Sequence, residues 1–230
     1  IPGVQVADLG GALVAMVGLL AALLRARATG EGDHVDVSMT DAAFSLISVH
    51  VGEHLVRGGV PPGPEGMLLN GAFPAYNVYR CADGRFLSVG ALEPQFFSAL
   101  CEAVARPDLL ATAFDPGALP AWRRVFGARA RDEWLELLGQ ADACVGPVND
   151  LDEACGDAQL RHREMLVELE HPTEGPSPQV GVPIRLARRP GGVRTPAPRL
   201  GQHTRAHLAE VGYGEEEIAA LIADGVAAEP

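Results

Sequence analysis

Lysine is absent from the 230 residues: all 18 basic side chains are arginine, set against 30 acidic ones for a formal net charge of −12. With alanine, glycine and proline abundant, the missing lysine reads as the codon bias of a GC-rich genome. So acidic a chain excludes nucleic acid as a partner, because phosphates need compensating positive charge. It also weakens electrostatic attachment to an anionic membrane. Cysteine is sparse. Cys81, Cys101, Cys144 and Cys155 are widely spaced and form no C-x-x-C pair, which excludes a zinc ribbon or a thioredoxin motif. Four cysteines do not make a disulfide scaffold, so a reduced, cytoplasmic setting is the default. There is no G-x-x-x-x-G-K-S/T loop and no G-x-G-x-x-G fingerprint, so nucleotide binding has no motif of its own. The most apolar run, Ala12 to Leu24, is shorter than the ~20 residues a membrane span needs. It also lacks the charged lead-in of a signal peptide. It is expected to be a buried core helix, with no membrane as a partner. The chain opens Ile1-Pro2-Gly3-Val4 without an initiator Met, from which a processed chain or a piece of a longer one is expected.

What is present suits one large domain or two small ones with a real core: 47% of residues are hydrophobic and 21% charged. Val4-Gln5-Val6 reads as a short strand ending at Asp8, before Gly10-Gly11 opens the apolar helix. That helix is expected to run to about Arg27 and stop at Thr29-Gly30, a C-terminal glycine signal. Val35 and Val37 alternate with Asp36 and Ser38 as a short strand. Ser38-Met39-Thr40-Asp41 has capping-box spacing and predicts a helix to about Val56. Gly58 to Gly66 is a Pro/Gly-rich linker. Tyr76 to Cys81 and Arg85 to Val89, joined through Asp83-Gly84, form a β-hairpin. Glu93-Pro94 starts a helix carrying Phe96, Phe97, Leu100 and Val104. Further helices surround Trp122 and Trp134. Asp152 to Arg163 is helical and Met165 to Glu170 extended. A Pro/Gly-rich stretch follows with a strand at Ile184 to Leu186, then helices over His203 to Val211 and Glu215 to Ala223.

Several residues invite chemistry. His50-Val51-Gly52-Glu53-His54 fits H-x-x-E-H, a zinc pattern. It has only three fixed positions and no third ligand, so an amphipathic helix with two incidental histidines is the reading and no metal is expected. Cys101, between Leu100 and Ala103, reads as a small core residue. Arg123, Arg124, Arg129 and Arg131 interleave with Asp132, Glu133 and Glu136 as a solvated helix face, in preference to a phosphate-binding patch. Asp8 stands where a carboxylate accepts backbone N–H bonds and feels a positive helix end, so it should stay ionised, either as an N-cap or as an acid/base. Glu93 also precedes a helix, as a first-turn acid or as the second carboxylate of an acid–base pair.

The strings Val4-Gln5-Val6-Ala7-Asp8-Leu9-Gly10-Gly11, Gly30-Glu31-Gly32, Val35-Asp36-Val37-Ser38-Met39 and Cys81-Ala82-Asp83-Gly84-Arg85 are distinctive. So are Val89-Gly90-Ala91-Leu92-Glu93-Pro94-Gln95-Phe96, Asp142-Ala143-Cys144-Val145-Gly146-Pro147-Val148 and Leu200-Gly201-Gln202-His203-Thr204. Together they resemble the family III CoA-transferases and, within them, the α-methylacyl-CoA racemase branch, in consistent order to about Ala223. The resemblance implies an α/β fold: the C-terminal part of a Rossmann-like large domain plus a smaller α+β domain. Residues 1–58 would be a remnant of the large CoA-binding domain, 59–72 a linker, 73–188 the small domain, and 189–230 a linker and helices returning to the large domain. It implies that Asp8 is one acid/base of a racemase, or in a transferase the residue that carries covalent acyl and CoA adducts. Glu93 would orient a catalytic histidine, with Tyr76, Gly10 and Gly11 supporting. That histidine, an arginine and most CoA contacts belong to a preceding half-domain in the family, and His34, His50 and His54 do not occupy its motif. The implied reaction is 1,1-proton transfer at the α-carbon of a 2-methylacyl-CoA thioester; the alternatives are CoA transfer between carboxylic acids, or an incomplete subunit needing an N-terminal partner chain. No cofactor is implied beyond the CoA of the substrate, and a homodimer is. The Ala12–Leu24 helix would expose apolar faces wherever its family neighbours were not replaced.

Overall fold

The computed structural model describes residues 3–58 and 66–230, so most of the predicted linker (59–65) lies outside the described residues. The chain forms two compact units, Ile1–Val148 and Asn149–Pro230; the boundary falls inside the 73–188 stretch.

The first unit begins with α1 (Val6–Thr29), α2 (Met39–Leu46) and α3 (Ser48–Val56). The strand expected at Val4–Val6 is absent, because the helix already starts at Val6 with Gln5 at its N-cap. Three alternating residues are too few to resist a helix whose Gly10-Gly11 pair is needed for close packing. A Cβ on Gly11 would lie 3.1 Å from Met39 Cγ, and one on Gly10 3.1 Å from Leu46 Cδ1, so both glycines let α2 lie against α1. The Val35–Ser38 segment is not a strand either. Val35 packs where a Cβ on Gly18 would be, 2.9 Å from its Cγ1, and side-chain packing replaces strand pairing there. Gly30 ends α1 in the left-handed conformation at φ 78°. Ser38 Oγ accepts the Asp41 N–H at 3.3 Å and caps α2 as expected. The predicted single helix to Val56 breaks at Ile47 into α2 and α3.

α1 is not a buried core helix in this chain. Gly11 is its only buried residue among those described, and Leu13, Val17 and Leu24 are each more than 60% exposed. Its 24 residues are also longer than the apolar run suggested, and by length and composition alone enough to cross a membrane. The run grows because Val6, Leu9 and the glycines extend it N-terminally while Arg25 and Arg27 fall only in the last turns. Its helical packing partner is α2, Val35 also seats against it at Gly18, and Leu13, Val17, Leu20 and Leu24 stay exposed.

The rest of the first unit is a small sheet covered by helices. β1 (Tyr76–Arg80) and β2 (Phe86–Gly90) make the predicted hairpin, with Gly84 at φ 83° in the turn. β3 (Val145–Val148) adds antiparallel to β2, giving the order β1-β2-β3. α4 (Pro94–Ala103), a 3₁₀ turn at Pro107–Thr112, α5 (Leu119–Phe126) and α6 (Arg131–Leu138) lie between β2 and β3 in the chain. The core is aromatic. Trp122 is fully buried, with Phe97 5.3 Å and Phe126 5.8 Å away between ring centroids, and Phe126 also meets Tyr79 at 4.7 Å and Trp134 at 5.6 Å. The polar atoms of these rings are satisfied: Trp122 Nε1 donates to Thr112 Oγ1, Trp134 Nε1 to the Phe126 carbonyl and the Tyr79 hydroxyl to the Pro74 carbonyl. Cys101 is a core residue as read, its thiol pushed up to about 11 first by burial. The arginine face is only partly solvated. Arg123, Arg124 and Arg129 are exposed, but Arg131 is buried, donating to Asp132 and to the Val148 carbonyl.

The second unit holds α7 (Leu151–Gly156), α8 (Ala158–His162), the hairpin β4 (Leu166–His171) and β5 (Gly175–Val180), α9 (Thr204–Glu210) and α10 (Glu215–Ala223). Asp150 and Glu153 form a reciprocal cap on α7, and Asp157 caps α8, splitting the single helix expected there. The strand partner of β4 is Gly175–Val180, not Ile184–Leu186. Pro176 and Pro178 alternate along β5, so both missing N–H groups fall on one edge of the strand, where a two-stranded sheet tolerates them.

Candidate active site

The sheet gathers a group of residues at one end. In the β1–β2 register Tyr76 stands opposite Gly90, and the Gly90 N–H donates to the Cys144 carbonyl at 2.9 Å, immediately before β3. Tyr76, Gly90 and Cys144 therefore meet where β1 starts, β2 ends and β3 starts. They line a cavity of about 680 Å³ together with Leu69, Asn77 and Ser88, within the size range of small-molecule sites. Asn77 fixes the loop that closes it: its side-chain amide donates to the Gly71 carbonyl at 2.7 Å, where Gly71 takes φ 96°. Ser88 Oγ donates to the Gly146 carbonyl and ties β2 to β3 beneath the cavity.

Glu93 follows Gly90 by three residues and is the N-cap residue of α4. Its backbone carbonyl accepts the Phe96 and Phe97 N–H groups, but its carboxylate makes no capping bond. The Glu93 side chain is exposed and acts electrostatically on Cys144. That thiol is shifted upward by partial desolvation first, then by the negative charges of Asp142 and Glu93. Cys144 is held at φ 48°, a left-handed conformation uncommon for a non-glycine residue.

Asp8 occupies the first turn of α1, three residues after the N-cap Gln5, so it is neither at a strand end nor the cap itself. Its side chain is exposed at the positive end of a long helix, where a carboxylate is favoured. No hydrogen bond or ion pair among the described residues joins it to Glu93 or Tyr76. The structure thus brings Tyr76 and Glu93 to one end of the sheet and places Asp8, Gly10 and Gly11 on α1. Gly10 and Gly11 sit in the helix as its contact with α2, not in a turn before it. Sequence reasoning gave Cys144, Asn77 and Ser88 no role. The string around Cys144 stood out only as a resemblance, and β3 register is what carries it to Gly90.

The zinc-like pattern lies on α3. Glu53 pairs there with Arg57 at 2.6 Å, and His50 Nδ1 is buried without a partner. No group of three or more metal-ligating side chains occurs among the described residues.

Residues 1–204 match the family model for CoA-transferase family III. The chain is 31% identical over 225 residues to an α-methylacyl-CoA racemase of Mus musculus, covering 94% of this chain and 57% of that protein. It is 31% identical over 255 residues to a formyl-CoA:oxalate CoA-transferase of Streptomyces avermitilis, covering 97% and 60%. It is 28% identical to a succinyl-CoA:glutarate CoA-transferase of Mus musculus, covering 98% and 53%. Among solved structures, a CAIB/BAIF family protein from Brucella suis superposes with a TM-score of 0.71 at 21% identity, over 92% of this chain and 56% of that one. The chain thus spans a little over half the length of the relatives it matches.

Proposed function

The chain belongs to CoA-transferase family III, and from that premise we propose that it carries acid–base machinery of an acyl-CoA racemase acting on 2-methylacyl-CoA thioesters. The observation that carries the reading is Glu93. A glutamate at a helix N-cap that caps nothing, faces solvent and stands beside the sheet-end cavity is a carboxylate kept for another partner. In this reading Asp8 takes or returns the α-proton on one face of the substrate, and Glu93 orients and charge-stabilises a histidine that does so on the other. That histidine would come from the part of the family fold that this stretch does not span. Tyr76 bounds the site. Each positioned acid or base supplies about 10²–10⁴-fold, so the enolate-like intermediate also needs stabilising dipoles. The N-terminal end of α1, which carries Asp8, is one such dipole. CoA arrives with the substrate.

The open faces of α1 support a second element of the proposal. Residues 1–58 belong to a larger Rossmann-like domain, whose remaining part covers α1, and the active assembly is a dimer. The test is incorporation of solvent deuterium at the α-carbon of 2-methylacyl-CoA, by this chain alone and with the remaining family segment added. Asp8→Asn and Glu93→Gln should each abolish it, and wild-type rates in either variant refute the roles.

The transferase names among the relatives favour one alternative. The Asp8 carboxylate would attack the thioester carbonyl, releasing CoA thiolate and leaving an acyl-aspartyl anhydride. The thiolate would then attack the aspartyl carbonyl and free the first carboxylic acid. A mass shift on Asp8 after incubation with acyl-CoA identifies this route, and its absence together with deuterium exchange selects racemisation.

A further inference from the structure

Charge is segregated along the second unit. Residues 175–209 hold six arginines and no aspartate or glutamate, in a chain whose net charge is −12. Two of the six are neutralised from outside the segment, Arg185 by Glu164 and Arg205 by Glu215 and Glu229. Arg188, Arg189, Arg194 and Arg199 make no ion pair among the described residues, although acidic side chains outnumber basic ones. Arg199 lines a cavity of about 560 Å³. The other polar side chains there are Gln202, His203, Thr204 and His207, the apolar lining includes Leu208 and Val211, and no acidic side chain lines it. Its walls are held in place. The Arg199 N–H donates to Gln202 Oε1 at 2.9 Å, which closes the turn and leaves the Gln202 amide N–H groups to face a ligand. A Cβ on Gly201, at φ 78°, would lie 2.8 Å from the Ala228 carbonyl oxygen, so the turn rests on the C-terminal tail, which Arg205 clamps through Glu229. Glu210 Oε2 accepts the His207 Nδ1–H at 3.0 Å and fixes that ring, edge-on to His203 with centroids 5.9 Å apart.

We propose that this cavity binds a small organic phosphate other than the acyl-CoA: a phosphate ester carried on an apolar ring. The Arg199 guanidinium pairs two phosphate oxygens at once, and the Gln202 amide and Thr204 hydroxyl are donors for the third. Leu208 and Val211, the latter 73% exposed, take the ring out of water. The unpaired arginines of the same segment raise the local concentration of anions. Two histidines four residues apart also suit a metal ion, but Arg199 beside them repels a cation and no third ligand joins them among the described residues. The cavity shares no residue with the sheet-end cavity. The family match ends at Thr204, so His207, Leu208 and Val211 lie beyond it, and the assignment does not depend on the role given to Glu93.

Phenyl phosphate is the probe, with inorganic phosphate as the charge without the ring and phenol as the ring without the charge. Calorimetric titration of the 230-residue chain should show one saturable site for phenyl phosphate, about tenfold tighter than for inorganic phosphate, and none for phenol. The imidazole Cε1–H resonances of His203 and His207 should shift as the site fills, and those of the other five histidines should not. Arg199→Gln should raise the half-saturating concentration about tenfold or more, by removing a charge-assisted bond. Val211→Asp should weaken binding as well, by setting a carboxylate against the anion. Both residues are exposed, so both variants should keep the wild-type Tm. Added salt should weaken binding of the wild type. CoA should not displace phenyl phosphate; displacement would give the site to the substrate's own phosphates and overturn the proposal. So would absence of saturable binding, equal affinity for inorganic phosphate, resonance shifts confined to other histidines, or binding unchanged in Arg199→Gln. Glu93→Gln should leave phenyl phosphate binding intact whatever it does to α-deuterium exchange, so each claim can fail alone.

Discussion

Replacing Trp122 with alanine removes the side chain on which α4, and with it Glu93, is seated. The indole is fully buried between Phe97 and Phe126. Truncating a buried Trp in a close-packed core costs about 3–5 kcal/mol from lost transfer energy and the cavity left behind. The lost bond from Nε1 to Thr112 Oγ1 adds only about 1 kcal/mol, because that hydroxyl still donates to the Leu109 carbonyl at 2.6 Å and is not orphaned. In a unit of about 150 residues each kcal/mol lowers Tm by about 2–4 °C, so a loss of roughly 10–20 °C is expected. Urea unfolding followed by near-ultraviolet ellipticity should show a lower midpoint with the slope unchanged. Trp122→Phe keeps a ring and gives up the N–H donor, and should lose about 1–2 kcal/mol. A Tm fall of less than about 3 °C for Trp122→Ala would refute the claim that this aromatic cluster is the cooperative core beneath Glu93.

Gly11→Leu should loosen α2 from α1, read as faster amide exchange in Met39–Leu46, whereas the same change at Gly32, where nothing lies within 4 Å, should not. Ellman's reagent should modify Cys155 and, more slowly, Cys144 in the folded chain, and reach the buried Cys81 and Cys101 only on unfolding. Asp108, Asp132 and Glu229 are held below their ordinary ionisation ranges, first by hydrogen bonds from Arg106, Arg131 and Arg205. A depressed folded-state value stabilises above the unfolded one and is lost as pH falls through it, so the urea midpoint should drop below about pH 4, less steeply in Arg106→Gln. Burial raises the Tyr79 and Cys101 values, so stability should also decline as pH rises above about 9. Ser38→Ala should cost α2 about 1 kcal/mol, measured as reduced thermal stability.

Local chemistry is legible along the chain wherever one or two residues decide the outcome. Asp83-Gly84 makes the hairpin turn, Pro94 starts α4, Ser38 caps α2 and Gly30 stops α1, each because a backbone angle or an orphan N–H demands that residue type. Phe97, Leu100 and Val104 are readable as one helix face by their spacing, and all three join the core. Short alternations mislead: Val4–Val6 and Val35–Val37 look like strands, yet neither finds an edge to pair with, and a strand without a partner leaves its ladder bonds unmade.

The sequence alone pointed to the family, the hairpin turn, the Ser38 cap, the Gly30 stop and the Pro94 start, and it singled out Asp8 and Glu93 as candidate carboxylates, since these depend on residue type and near neighbours. The tertiary structure alone decided that α1 lies largely open beyond its seat against α2 and Val35, that Gly10 and Gly11 serve packing, and that Arg131 turns inward. It also decided that Tyr76, Gly90 and Cys144 meet at one sheet end. Those outcomes depend on strand register and on which helix meets which, and both are set by contacts between residues far apart in the chain, which no local pattern encodes.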